Sequence, residues 1–321
     1  MQPLIHSVPI EKTPYEQGVF PEIFIDVMWQ CNMSCNMCYS DSPGPKFPVT
    51  TTSMNKDLDL DYYEDLCARL PRPVLMMLVG GEPSMSRDIF KILEITYKHG
   101  HGVFMPTNGK RFAKSISFCK EFAQISKMGK TVCCLDFSSG YNDEISDIIY
   151  GEPVQEFKTK ALENIQKTDA VRVLLSSALI RDLNESVMPD LIDIADRFKK
   201  VVRILKFRAQ GHTGRWIKES HSYRTPEMLK LLENYFTEEE MYGTVTLSGE
   251  LKIGKNSEKC LGKNCCFHFK PKRHLHVWVL ECFTEQGSCW RKGRLNDTGT
   301  LEPAFEAYGA LTPEGIHAKS C

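Results

Sequence analysis

Short apolar runs that alternate with amphipathic helical patterns constrain this chain more than any other feature. Glu22 to Met28 (EIFIDVM) reads as a strand, and Asp59 to Leu70 as an amphipathic helix. Val74 to Val79 has the length of a buried strand. Arg87 to His99 places Ile89, Ile92, Leu93 and Tyr97 at helical spacing, with Gly100 and Gly102 as stop signals. The alternation continues with strands over Val103 to Pro106, Thr131 to Phe137, Val171 to Ile180 and Val201 to Phe207. Helical patterns lie between and after them, over Ser115 to Met128, Gln155 to Gln166, Val187 to Phe198 and Arg224 to Phe236. Such repetition requires parallel strand pairing with right-handed crossovers. Six units fall short of a closed eight-fold barrel, so the expected class is α/β, an open, partial (β/α)6 TIM-like barrel. Functional loops then belong at the C-terminal ends of the strands.

After about residue 240 the pattern changes. Thr244 to Ile253 and His274 to Cys282 read as strands, with turn signals at Ser248-Gly249 and Gly254-Lys255. The expected division is a barrel over residues 1–240 and a small C-terminal domain over 241–321, β-containing and Cys-rich, with an irregular tail from Arg294.

The formal net charge is -1 and no dense run of Lys or Arg occurs, which argues against a nucleic-acid partner. The N-terminal segment lacks a secretory pattern, and no apolar run approaches the ~20 residues of a bilayer span. A cytoplasmic protein with no membrane partner is therefore expected. Thirteen cysteines in such a chain point to metal ligands rather than disulfides.

Cys31-Asn-Met-Ser-Cys35-Asn-Met-Cys38 comes shortly after the first strand. Thiolates at C-x3-C-x2-C spacing can wrap three corners of a [4Fe–4S] cube and leave one iron open. Zinc is the alternative, but zinc sites usually complete four protein ligands, and no fourth Cys or His lies close by. Gly80-Gly81-Glu82-Pro83 follows the second strand. Its glycines permit close backbone approach to a ligand, and its carbonyls and the Glu82 carboxylate can accept bonds from an ammonium group. Thr107-Asn108-Gly109 follows the third strand and by itself is a turn signal.

In this order and on these strands, the three elements resemble the radical SAM superfamily. The resemblance implies a [4Fe–4S] cluster on Cys31, Cys35 and Cys38 that passes an electron into S-adenosylmethionine (SAM). The 5′-deoxyadenosyl radical so formed removes a hydrogen atom from a substrate carbon. An electron donor such as flavodoxin or ferredoxin is implied as a partner. The Gly80 to Pro83 element would receive the SAM amino group, with Asn108 beside it. Many members carry an aromatic residue where Met37 stands, so contact with adenine falls to Met37 and, second, to Tyr39. Asp136 and Ser138 after the fourth strand, Ser176 and Asn184 (with Glu185) after the fifth, and Arg208 at the end of the sixth are further cofactor candidates. Arg208 suits a carboxylate of SAM or of substrate. Each of these also reads as a turn, cap or surface polar residue.

Cys260, Cys265, Cys266, Cys282 and Cys289 form a second cluster, near His268, His274 and His276. The stretch from Cys266 to Cys282 resembles the hairpin of the twitch and SPASM auxiliary-cluster domains, although the full seven-Cys SPASM pattern is missing. The resemblance implies an auxiliary [4Fe–4S] cluster on four of Cys260, Cys265, Cys266, Cys282, Cys289 and Cys321, with Cys266 favoured over its neighbour Cys265. A structural zinc site or unliganded thiols are the alternatives. Vicinal Cys133 and Cys134 are catalytic candidates as thiols that give a hydrogen atom to a substrate radical, or else small core residues. Gln210, Arg215 and Trp216 are candidate pocket walls.

The expected function is hydrogen abstraction from a small molecule or a peptide, leading to oxidation, cross-linking or epimerisation. Radical SAM RNA modification or methyl transfer is the alternative, and a non-catalytic metal-binding or electron-transfer protein the reading from another class. Thirty residues precede Cys31, too few for a separate leader-recognition domain, which favours a small molecule or a peptide recognised elsewhere.

Overall fold

A computed structural model of the 321-residue chain describes residues 22–48, 58–70, 73–209, 215, 222–242, 266–271, 274–280, 292–295 and 301–303. The chain runs β1 (Glu22–Met28), α1 (Leu60–Arg69), β2 (Leu75–Gly80), α2 (Ile89–Lys98), β3 (Gly102–Thr107), α3 (Lys110–Lys114), α4 (Ile116–Ile125) and β4 (Thr131–Asp136). It continues through α5 (Asp143–Tyr150), α6 (Gln155–Thr168), β5 (Arg172–Leu179), α7 (Met188–Arg197), β6 (Val202–Ala209), α8 (Thr225–Leu232) and α9 (Glu238–Tyr242). Four short strands follow: β7 (Cys266–Phe269), β8 (His276–Leu280), β9 (Lys292–Leu295) and β10 (Leu301–Pro303).

All strands join one sheet in the order β10-β9-β1-β2-β3-β4-β5-β6-β8-β7. Strands β1 to β6 are parallel and each pairs with the next in sequence. With right-handed crossovers, that sequential order puts every connecting helix on one face of the sheet. The sheet therefore has a helix-covered face and an open face. The expected partial barrel is found, and its sheet is not closed.

The two faces are visible in the alternation of side chains. Ile23, Ile25 and Val27 of β1, Met76 and Leu78 of β2, and Cys133 and Leu135 of β4 enter the main core with α1, α2, α4 and α6. Phe24, Met77 and Val79 point the other way and form a smaller apolar group with Tyr39 and Phe104. Local signals set the helix starts: Asp59 accepts from the Tyr62 N–H at 3.1 Å, and Asn142 from the Ile145 N–H at 2.9 Å. The sequence reading missed α5, whose eight residues fall between a turn and Gly151 in left-handed conformation.

The boundary expected at residue 240 does not coincide with an edge of the sheet. β8 pairs parallel with β6, and β7 returns antiparallel on β8 with Cys266 opposite Leu280. β7 and β8 thus form a hairpin between Cys266 and Leu280 that prolongs the barrel sheet, and Cys282 lies outside the described residues. β9, which runs into the tail read as irregular from Arg294, pairs parallel with β1 at the other side. The strand expected over 244–253 lies outside the described residues.

His101 links β3 to the helical layer. Its Nε2 meets the Cys67 carbonyl at 2.9 Å and its Nδ1 accepts from the Val74 N–H at 3.2 Å, which fixes the neutral tautomer. Burial lowers its pKa below the ordinary value. The unfolded chain then takes up the proton first as pH falls, so this residue's stabilisation is present above about pH 6.5 and lost below it. Urea midpoints of the apoprotein should drop over that window, and less steeply in His101→Gln; an identical slope in the variant would exclude this residue as the cause.

Candidate active site

The C-terminal ends of β1 to β6 surround an open cavity of about 260 Å³. Cys31, Cys35 and Cys38 all line it, each half-buried on the loop that leaves β1. That loop is held by backbone bonds from the Cys31 N–H to the Pro43 carbonyl (2.8 Å) and from the Asn36 N–H to the Ile149 carbonyl (2.9 Å). Burial pushes the Cys31 and Cys35 thiols up to about 12, so without a metal they stay protonated. Among the described residues, no three His, Cys, Asp or Glu side chains converge as donors to a single ion would. Three thiols around one cavity can each take a separate iron of a [4Fe–4S] cube.

The glycines of Gly80-Gly81 also meet a need of the chain itself. A Cβ on Gly80 would lie 2.1 Å from the Met28 carbonyl oxygen, and one on Gly81 2.1 Å from that of Gln30. Gly80 also has φ +110°. Their close approach is to the chain's own backbone leading into Cys31, where the Gly81 N–H donates to Met28 and the Glu82 N–H to Gln30. The Gly80 carbonyl faces the cavity side and accepts from the hydroxyls of Ser40 and Ser42.

Glu82 is 1% exposed. Its Oε1 accepts from Ser84 Oγ and N–H and from Thr107 Oγ1 (2.6 Å), and its Oε2 from the Asn108 N–H (2.7 Å). Burial raises its pKa while these four bonds work against the rise. Asn108 Nδ2 in turn donates to Asn32 Oδ1 at 2.7 Å and lies 3.8 Å from Cys31 Sγ. The three sequence elements are one hydrogen-bonded unit.

Of the other cofactor candidates, Met37, Tyr39, Pro83, Asp136, Ser176 and Arg208 line the cavity. Asp136 accepts from Ser138 Oγ and from Tyr150 Oη. Ser176 is 1% exposed, and its Oγ has no hydrogen-bond partner among the described residues. Ser138 and Asn184 are not brought to the cavity wall. Ser138 Oγ binds Asp136 and the Ala178 N–H, and the Asn184 amide is used by the Ser138 and Ala178 carbonyls and the Ile180 N–H. These two are structural ties. Glu185 accepts from Tyr223 and the Asp182 N–H, away from the cavity. The vicinal cysteines separate by strand alternation: Cys133 enters the core, while Cys134 faces the cavity with Lys206 Nζ donating to its Sγ at 3.5 Å.

Three residues were missed or misread in the sequence. Lys158 occupies an apolar position of α6, in register with Ala161, Leu162 and Ile165, and that was its signal. It is buried against Tyr150 and Phe137, donates to the Asp136 carbonyl, and burial lowers its pKa to about 8. Lys206 shares a strand face with Arg208. Arg215, taken as a pocket wall, instead grips the cysteine loop. Its N–H donates to the Cys38 carbonyl (3.0 Å), Nη1 to that of Cys35 (3.1 Å), Nη2 to that of Ser42, and Nε to Asp41 Oδ1 (2.6 Å). Gln210, Trp216, Cys260, Cys265, Cys282, Cys289 and Cys321 lie outside the described residues, as does the side chain of Cys266.

No family model matches the chain. Over 211 residues it is 23% identical to the mycofactocin maturase MftC of Mycolicibacterium smegmatis, covering 64% of this chain and 50% of that protein. The chain spans about half the length of the curated relatives it matches. Among solved structures, anSMEcpe with bound AdoMet superposes with a TM-score of 0.54 at 16% identity, over 88% of this chain and 74% of that one. Streptococcus suis SuiB bound to its precursor peptide SuiA gives 0.51 at 14%, over 67% and 45%. These likenesses are to the fold.

Arg215 is the one described contact that closes the far side of the cysteine loop onto the segment after β6. Bonds to a charged donor are worth about 1.5–3 kcal/mol each. Arg215→Met should therefore retain the reconstituted cluster at least about tenfold less well through desalting, with Arg215→Lys between the two. Equal iron retention in all three proteins would remove this role.

Proposed function

We propose that the chain is a radical SAM enzyme that cleaves SAM reductively and abstracts a hydrogen atom from its substrate. The observation that carries the reading is the single bonded unit of Cys31, Asn32, Glu82 and Asn108 at the mouth of a cavity lined by all three cysteines. When bound, the cluster and SAM supply a 5′-deoxyadenosyl radical. The protein's part is to hold and orient. Cys31, Cys35 and Cys38 would ligate the cluster, and the Gly80 carbonyl and the unpartnered Ser176 hydroxyl offer polar contacts to SAM. Arg208 suits its carboxylate, and Met37 and Tyr39 its base. The apolar wall of Phe24, Met77, Val79 and Phe104 limits water around a reactive species.

A peptide substrate is favoured over a small metabolite, supported by the maturase name of the relative and by the precursor peptide bound to SuiB. Oxidation, cross-linking and epimerisation all remain outcomes of the same first step. Cys134, the cavity-facing thiol, is the candidate hydrogen donor for the last of these. A reducing cytoplasmic setting and a flavodoxin- or ferredoxin-type electron donor complete the reading; no helix among the described residues is long and apolar enough to cross a membrane.

A Cys-rich unit over 241–321 holding an auxiliary cluster is proposed with it, supported by the β7–β8 hairpin that begins at Cys266. Anaerobically reconstituted protein with dithionite and SAM should form 5′-deoxyadenosine, and Cys35→Ala should not. Iron content should be about eight per chain, falling to about four when Cys31, Cys35 and Cys38 are replaced together. A protein that binds iron but yields no 5′-deoxyadenosine would instead be an electron carrier, and a starting value near four irons would remove the auxiliary cluster.

A further inference from the structure

The carboxylate and cationic side chains that line the cavity do not pair off one to one. Two carboxylates line it, Glu82 and Asp136, and both are occupied by donors from their own surroundings. Three cations line it, Lys158, Lys206 and Arg208. Lys158 is engaged with the Asp136 carbonyl and lies 3.8 Å above the Tyr150 ring. Lys206 and Arg208 have no carboxylate partner among the described residues. The contacts of Lys206 are the Cys134 sulfur at 3.5 Å and the face of Phe104 at 5.5 Å.

SAM carries one carboxylate, so it can neutralise one of these two cations. Position along β6 separates them. Arg208 stands near the C-terminal end of the strand, next to its last residue, Ala209. Lys206 lies about 7 Å further down, one pleat into the barrel. The strand register sets it level with Ser176 of β5, which is level with Asp136 of β4. A half-buried ammonium beside apolar side chains loses hydration, and a fixed anion restores the lost interaction most strongly.

We propose that Lys206 receives a carboxylate of the substrate, so that the substrate class is a carboxylate-bearing molecule whose apolar part lies on Phe24, Met77 and Phe104. This rests on the catalytic reading above and adds the anchor that reading lacks. Docked there, the carboxylate places the neighbouring substrate carbon against Cys134, between the cofactor side of the cavity and the barrel floor. The anion can be a chain-terminal carboxylate or an acidic side chain, since both present the same two oxygens.

Calorimetric binding to SAM-loaded, reconstituted protein distinguishes the sources with two probe pairs that differ only in charge. One is N-acetylphenylalanine against its C-terminal amide. The other is the α-amide of N-acetylglutamate against that of N-acetylglutamine. At least one acid should bind about tenfold more tightly than its neutral partner, and the pair that does so identifies the source. Lys206→Met should abolish the preference and Lys206→Arg keep it, with SAM affinity unchanged in both. Should Lys206→Met prove unstable, the wild-type preference and its retention in Lys206→Arg still decide. Equal affinity within both pairs, no binding of either acid at millimolar concentration, or a preference that survives Lys206→Met would overturn the proposal. Because binding is read without turnover, that failure is separate from a failure to form 5′-deoxyadenosine.

Discussion

The arrangement of the site depends on one buried carboxylate. Glu82 has no access to water, and an ionised group in that position costs several kcal/mol unless every lone pair is met. The donors that meet it come from its own turn and from the loop after β3, so the two loops must hold one relative position. Asn108, fixed by that bond, then reaches the cysteine loop through Asn32. Gly80 and Gly81 close the third side by pressing against the backbone that leaves β1. Removing any one of these leaves buried polar atoms unpaired, so the unit forms together or not at all.

The topology explains why a cavity lies beneath that unit. Strands wound singly in sequence order send their helices to one face, and the sheet curls away from them. The open face keeps the alternate side chains of each strand. Of those that line the cavity, β1 to β3 give Phe24, Met77, Val79, Phe104 and Pro106, and β4 to β6 give Cys134, Asp136, Ser176, Lys206 and Arg208. One half of the wall is therefore a dry surface and the other a set of polar anchors. Arg215 reaches the cysteine loop from the segment after β6, tying the two ends of the barrel across the mouth.

Much of this was legible in the residues. Six strands and most helices fell within a few residues of their predicted limits, because burial on one face leaves a period that a sequence cannot hide. Asn184 and Ser138 show what was not legible. Both are polar residues just past strand ends, the same description that fits Asp136 and Ser176. Only the packing shows that two are spent on backbone groups and two face the cavity. Cys133 and Cys134 were indistinguishable as a vicinal pair until the pleat sent them to opposite faces.

By itself the sequence determined the strand–helix order, the chemistry of the cysteine loop and the residues of the two loops beside it. Those features are local: each is fixed by the spacing of a few neighbouring residues. The tertiary structure decided what the glycines press against, which cavity cations lack a carboxylate partner among the described residues, and that Arg215 grips the cysteine loop. These are contacts between segments tens to hundreds of residues apart. They depend on how strands are laid side by side, and no local spacing encodes that.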